Sequence, residues 1–139
     1  MKNLLLTTAT IALSLIGMSS FAQTLFLVQE PANLSGSYTF TDSFTADGWG
    51  ADLDTTAVTA PGAFAYDDGT YVEAGDAAGD SASCGDIVNM ADVDGKIAFI
   101  YRGICDFSLK AFNAQEAGAV ACVIINNEPG NLINMLGGD

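Results

Sequence analysis

Apolar positions fall along this chain in runs whose length and period change from one end to the other. Leu4 to Ile16 is an apolar run diluted by Thr7, Thr8, Thr10 and Ser14. Leu25 to Val28 is a short strand-like run stopped by Pro31, and Tyr38 to Phe44 alternates aromatic with polar residues, as a half-buried strand does. Asp47-Gly48 and Gly50 then punctuate the chain as turns. Ala63 to Tyr66 and Thr70 to Glu73 flank Asp67-Asp68-Gly69, a turn-rich tripeptide that predicts a hairpin connection. The glycine-rich, acidic run from Gly75 to Asp80 predicts an exposed loop. Asp86 to Asn89 and the turn Asp92-Val93-Asp94-Gly95 lead into the most densely specified stretch of the chain.

That stretch runs from Gly95 to Asn127. Lys96 to Tyr101 carries the β-favouring Ile97, Phe99 and Ile100, and Ala119 to Ile125 is a continuous apolar run of strand length, so both predict buried strands. Between them, Ser108 to Ala117 is rich in helix formers and stops at Gly118, a residue suited to the left-handed conformation just past a helix end. The order is that of a β–α–β unit, with parallel strands and a right-handed crossover. Phe107, Ala111, Ala114 and Ala117 share one helical face, whereas Leu109 and Phe112 fall elsewhere. Either the helix is engulfed, or Leu109 and Phe112 meet a neighbouring domain. After Asn127, Glu128-Pro129-Gly130 forms a turn and Leu132 to Leu136 a short apolar piece. No fixed-period repeat and no long low-complexity linker interrupts the chain.

The first apolar run changes how the composition is read. Lys2 precedes it, and Ser20-Phe21-Ala22 supplies small residues three and one positions before a cut, so residues 1–22 are expected to be a secretory signal peptide cleaved before Gln23. The run is shorter than the roughly 20 residues needed to cross a bilayer, and threonines and a serine dilute it. No membrane span is expected in the mature chain. What remains is acidic: 17 Asp and Glu against 4 Lys and Arg in the whole sequence, with Lys96, Arg102 and Lys110 as the cations downstream of the cut. Such a surface repels nucleic acid and anionic lipid, so neither is an expected partner.

The sequence contains no histidine. Ser-His-Asp and Cys-His nucleophiles, HExxH zinc sites and imidazole acid–base catalysis are therefore excluded. Carboxylate pairs remain on paper, at Asp67 and Asp68 or Asp92 and Asp94. Neighbouring carboxylates in a turn are far more often solvated turn formers. Asp92-Val93-Asp94-Gly95 lacks the third ligand and the later glutamate of a calcium loop, and no phosphate-cradling glycine motif is present. Trp49 is read as a packing residue alongside Phe44 and Leu53, with ligand contact as its alternative. Asn33-Leu34-Ser35 fits the glycosylation acceptor pattern. In a secreted chain disulfides persist, and of the three cysteines Cys122 lies inside an apolar run and is expected to lack a cationic neighbour that would lower its pKa and make it reactive. It is expected to be a small buried hydrophobe.

The residues from Gly95 to Asn127 resemble the signature of the protease-associated (PA) domain family. In that signature a Gly-Lys-Ile strand leads to Arg-Gly-x-Cys-x-Phe, then Lys, Ala, Ala-Gly-Ala and an apolar strand ending in Asn. The matching positions are Gly95, Lys96, Ile97, Arg102, Gly103, Cys105, Phe107, Lys110, Ala114, Ala117, Gly118, Ala119 and Asn126. Tyr66-Asp67-Asp68-Gly69, Cys84, Asn89 and Val93 resemble the approach to it. The resemblance implies a β-rich α/β fold, a sandwich or open barrel flanked by short helices around the central β–α–β unit. It divides the chain into the signal peptide, a β-rich N-terminal extension over residues 23–59 and a PA domain over 60–139. Because the family continues with another strand and helix, the domain is expected to stop short, leaving an open sheet edge.

The resemblance also pairs Cys84 with Cys105, closing a loop of about twenty residues with a contribution of roughly 3 kcal/mol through the unfolded state. It makes Gly95, Gly103, Phe107, Gly118 and Asn126 structural positions. Arg102 and Lys110 are read first as a local ion pair, with a carboxylate such as Asp106, or a carbonyl-binding arginine that fixes the turn; the resemblance offers them, with Asp67 and Asp68, as candidate contacts to a peptide or partner. No catalytic residue, metal ligand or cofactor is implied. The expected role is a non-catalytic extracellular interaction or substrate-access module of a larger protein, itself a candidate peptidase. A free-standing secreted binding or adhesion protein is the competing reading, and a carboxylate-based hydrolase the remote one.

Overall fold

The computed structural model describes residues 25–43, 48–53, 57–69, 83–103 and 105–137. The expected signal peptide, the strand Thr70 to Glu73 and the loop Gly75 to Asp80 lie outside the described residues. Among those described, the fold is mixed α/β, in the order β1 (Phe26–Val28), β2 (Gly36–Tyr38), β3 (Gly62–Phe64), α1 (Met90–Val93), β4 (Ile97–Tyr101), α2 (Phe107–Glu116) and β5 (Ala121–Ile125). β1 and β2 pair antiparallel, and β3, β4 and β5 form a parallel sheet in that order.

The β–α–β unit forms as its apolar runs predict. β4 and β5 pair in parallel from Ile97 opposite Ala121 to Tyr101 opposite Ile125. Alternation along β4 sends Ala98 and Ile100 into the core, both 0% exposed, and leaves Ile97, Phe99 and Tyr101 half-buried on the opposite face. The core joins Ala98 and Ile100 to Ala65, Ile87, Val93, Ala114 and Ala117, so α2 covers this face of the sheet. On the other face Phe64 lies 5.9 Å from Phe99 and 5.5 Å from Tyr101 between ring centroids. The Phe99 ring rests directly over Gly62, where a Cβ would collide with it.

Several expectations change. β5 is half-buried along its whole length rather than fully enclosed, because it is an outer strand of the described sheet. The strand predicted over Tyr38 to Phe44 is shorter and earlier, ending at Tyr38, whose ring meets Phe26 across the β1–β2 pair at 6.1 Å. The residues Asp92-Val93-Asp94-Gly95 are not a simple turn, since Met90–Val93 is a single helical turn whose Val93 is buried. Leu109 and Phe112 are 39% and 56% exposed, so α2 is not engulfed.

Two glycine turns set the start of the parallel strands. Gly95 follows α1 and donates its N–H to Gly118 O at 2.9 Å, while Gly118 follows α2 and donates to Gln115 O at 2.9 Å. Gly118 has φ 86°, and a Cβ there would run into the Asp94 carboxylate. Only glycine meets both conditions without strain.

Candidate functional site

Parallel strands deliver their loops to one end of the sheet, and the loop after β4 begins with Arg102. Its N–H donates to Ile125 O at 2.9 Å, extending the ladder one residue beyond the strand. Its Nη1 donates to Asn126 Oδ1 at 3.2 Å, so the half-buried guanidinium is seated against the end of β5. Asn126 in turn orders the segment behind it: Oδ1 accepts from Glu128 N at 3.4 Å and Nδ2 donates to Asn131 O at 3.4 Å. A guanidinium carries five N–H donors in a planar fork, which suits recognition of a carboxylate or a peptide carbonyl. Gly103 follows Arg102 and is half-buried, and Phe107, also half-buried, is the first residue of α2.

Two of the four residues offered as partner contacts are interior. Asp67 is 4% exposed. Its Oδ2 accepts from Cys84 N at 2.8 Å and Gly85 N at 3.1 Å, and its Oδ1 accepts from Gly69 N at 3.0 Å. A carboxylate taken up by three backbone N–H groups is a loop anchor. Lys110 is 0% exposed, with Nζ 3.6 Å from Cys84 Sγ. Its position on α2 turns it toward the core beside Ala114, so it presents no ammonium to a partner at the surface. Asp68 is exposed beside this anchor, and Asp92 and Asp94 are exposed as well.

Cys84 and Cys105 form a disulfide with Cα atoms 5.8 Å apart, within the ordinary range for an unforced bridge. The bridge ties the 83–85 segment to the entry of α2. Cys122 is half-buried against the core. Desolvation pushes its thiol up to about 12, and the Lys110 charge opposes that rise without overcoming it. The thiol therefore does have a cationic neighbour, on α2, although it remains protonated.

Two amides escaped the sequence reading as positioning residues. Asn113 Nδ2 donates to Ser83 O and Gly85 O, both at 3.0 Å, clamping the Cys84 segment onto α2. Asn89 Nδ2 donates to Phe64 O at 2.9 Å and its Oδ1 accepts from Tyr66 N at 2.9 Å, so one side chain stands in for a strand partner at the end of β3. The signal for Asn113 was its place on α2 three residues after Lys110 and next to the buried Ala114. Trp49 packs, but against the C-terminal segment: Nε1 donates to Met135 O at 2.7 Å and the ring lies on Gly137. Leu53 is 45% exposed, and Phe44 lies outside the described residues.

Among the described residues, no three or more His, Cys, Asp or Glu side chains are grouped to hold a metal ion, and no helix is long and apolar enough to cross a membrane. The disulfide places the chain in an oxidising, non-cytosolic compartment.

Comparison with known proteins agrees with this architecture. The chain is 42% identical over 50 residues to ER degradation-enhancing alpha-mannosidase-like protein 3 of Xenopus laevis, covering 36% of this chain and 6% of that protein. It is 45% identical over 47 residues to leucine aminopeptidase 2 of Trichophyton equinum, covering 34% of this chain and 10% of that protein. With the probable leucine aminopeptidase 2 of Aspergillus fumigatus the identity is 46% over 48 residues, 34% of this chain and 10% of the relative. The match thus spans a tenth or less of each of these relatives. No solved structure matches. The family model described as PA domain matches residues 53–139, taking in residues 53–59 that the sequence reading assigned to the extension. With more than half its length matched by that model, and with its parallel β–α–β unit and disulfide in place, the chain belongs to the PA domain family.

Proposed function

We propose that this chain is a non-catalytic recognition or substrate-access module of a larger secreted or surface protein. The observation that carries the reading is its similarity, over about a third of its length, to small portions of proteins named for different chemistries, aminopeptidases and a mannosidase-like protein. Similarity to a tenth or less of proteins named for such different chemistries fits a part that supports a reaction rather than performing it. A peptidase parent is the specific form of this proposal that the aminopeptidase relatives favour.

Within the module, Arg102 and Asn126 at the end of β4 and β5 form the contact point for a peptide carbonyl or carboxylate, with the exposed Asp68 as a further candidate. The acidic surface, with a formal net charge of −13 for the whole sequence, adds a preference for cationic partners. The test is Arg102→Ala in the protein that carries this chain. The expected outcome is a raised KM for a macromolecular substrate, with kcat unchanged and a small reporter substrate turned over as before. A loss of kcat on the small substrate would place the chain in the catalytic machinery and refute the reading.

A further inference from the structure

The two sulfurs of the disulfide sit in unequal surroundings. Cys84 is 4% exposed and packs with Tyr101, whereas Cys105 is only half-buried. The buried Lys110 places Nζ 3.6 Å from Cys84 Sγ. At that distance the ammonium favours a thiolate over a thiol, the Asp67 carboxylate on the Cys84 N–H acts in the opposite sense from farther off, and the burial of Lys110 and Cys84 limits solvent screening of their attraction. The lower the pKa of the leaving sulfur, the faster a disulfide opens toward it.

The segment that carries Cys84 is held in place without help from the bridge. Asp67 accepts from the Cys84 and Gly85 N–H groups at 2.8 and 3.1 Å, and Asn113 donates to the carbonyls of Ser83 and Gly85. Ser83 Oγ donates to Ala65 O at 3.3 Å. Cys105, by contrast, belongs to the loop between Gly103 and the start of α2. If the S–S bond opens, Cys84 stays beside Lys110, and Cys105 no longer ties the 83–85 segment to the start of α2.

We propose that Cys84–Cys105 is a thiol-exchange site that takes up a small thiol on Cys105, with Lys110 holding the departing Cys84 sulfur as its thiolate. The incoming thiolate attacks Cys105 Sγ, the Cys84–Cys105 bond breaks, and its electron pair remains on Cys84 Sγ. The products are a mixed disulfide on Cys105 and a Cys84 thiolate. A second small thiolate attacks the small-molecule sulfur of that adduct and frees Cys105. Two small thiols have then given up two electrons and become one disulfide, and the protein disulfide has become two thiols, which take up the two protons as pH dictates. Cys122 stays out of the exchange, since burial keeps it protonated up to about pH 12. Exchange removes the tie between Cys105 and Cys84 close to the proposed contact point, while the Arg102 bonds to Ile125 and Asn126 do not involve either sulfur. Only that last consequence rests on the proposed recognition role.

The test treats the native chain with reduced glutathione, quenches with acid and maps the adduct by peptide mass. Glutathione on Cys105 is expected; glutathione on Cys84 overturns the proposal. In the fully reduced chain, the pH profile of Cys84 alkylation should have its midpoint below the ordinary thiol value of 9.0, and a midpoint at or above it overturns the proposal as well. Lys110→Met should slow reduction by dithiothreitol about tenfold and move the alkylation midpoint up, and Lys110→Arg should restore both. Rates equal to wild type in Lys110→Met would refute the role of the ammonium. The adduct and pH measurements use the wild-type chain, so they decide the matter even if Lys110→Met does not fold. None of these readouts depends on a partner, so failure of the Arg102 test leaves them standing.

Discussion

Gly118 occupies a left-handed conformation with the Asp94 carboxylate where a side chain would begin. Gly118→Ala therefore adds the left-handed penalty of about 1–2 kcal/mol to the displacement of Asp94, and urea unfolding should show a loss of at least that size. A loss under half of it would mean that the turn relaxes freely. Cys122 gives a pH-dependent prediction. Its unfolded thiol ionises near the ordinary 9.0 while the folded one keeps its proton to about 12. Between those values the unfolded state binds fewer protons, so this contribution is intact below pH 9 and is lost as pH rises, with a limiting slope of about 1.4 kcal/mol per pH unit. Urea midpoints at about pH 8 and about pH 10.5 should fall further in the wild type than in Cys122→Ala, and equal falls would remove Cys122 as the source. Gly118 was legible because a glycine set between a run of helix formers and an apolar run of strand length fits a helix end and little else. Lys110 and Asp67 were misplaced because charge in a sequence suggests surface. Their burial depends on the 83–85 segment folding over them, a tertiary event with no local periodicity.

The β4–α2–β5 unit was legible for a related reason: each of its runs is long enough to show its own period, and parallel pairing follows from the intervening helix. β3 was not legible as a parallel neighbour of β4. It is three residues long, and its register is set by Phe64 beside Phe99 and by Gly62 beneath the Phe99 ring. α1 is a single turn, too short for any periodicity to appear. The outward side of α2 tests whether exposure there is real. Leu109 and Phe112 are 39% and 56% exposed, so Leu109→Glu or Phe112→Glu should lower unfolding free energy by only about 1 kcal/mol. Ile100→Ala, at a fully buried position on the opposite side of the α2–sheet contact, should cost about 2–5 kcal/mol. A penalty at Phe112 approaching that of Ile100 would show the helix face to be covered in the isolated chain.

Residues 41–49 and 133–137 meet in a way that neither stretch announces. Thr41 Oγ1 donates to Ile133 O at 2.9 Å and Trp49 Nε1 donates to Met135 O at 2.7 Å, across sequence separations of 92 and 86 residues. Trp49 is a packing residue as expected, and its seat on Met135 and Gly137 was not legible, since an apolar piece such as Leu132 to Leu136 carries no mark of which ring it will meet. Thr41 and Trp49 thus hold residues 133–137, apart from the hydrophobic core of the β–α–β unit, which lies in residues 65–122. This makes Trp49, the sole tryptophan, a reporter of tail attachment. Removing residues 132–139 deletes its carbonyl acceptor and the Gly137 surface under its ring, so its emission should shift to the red as the half-buried indole enters water. The core around Ile100 makes no use of those residues, so the cooperative urea transition followed by far-ultraviolet circular dichroism should survive the truncation. Loss of that transition along with the emission shift would show instead that the tail and the central sheet fold as one unit.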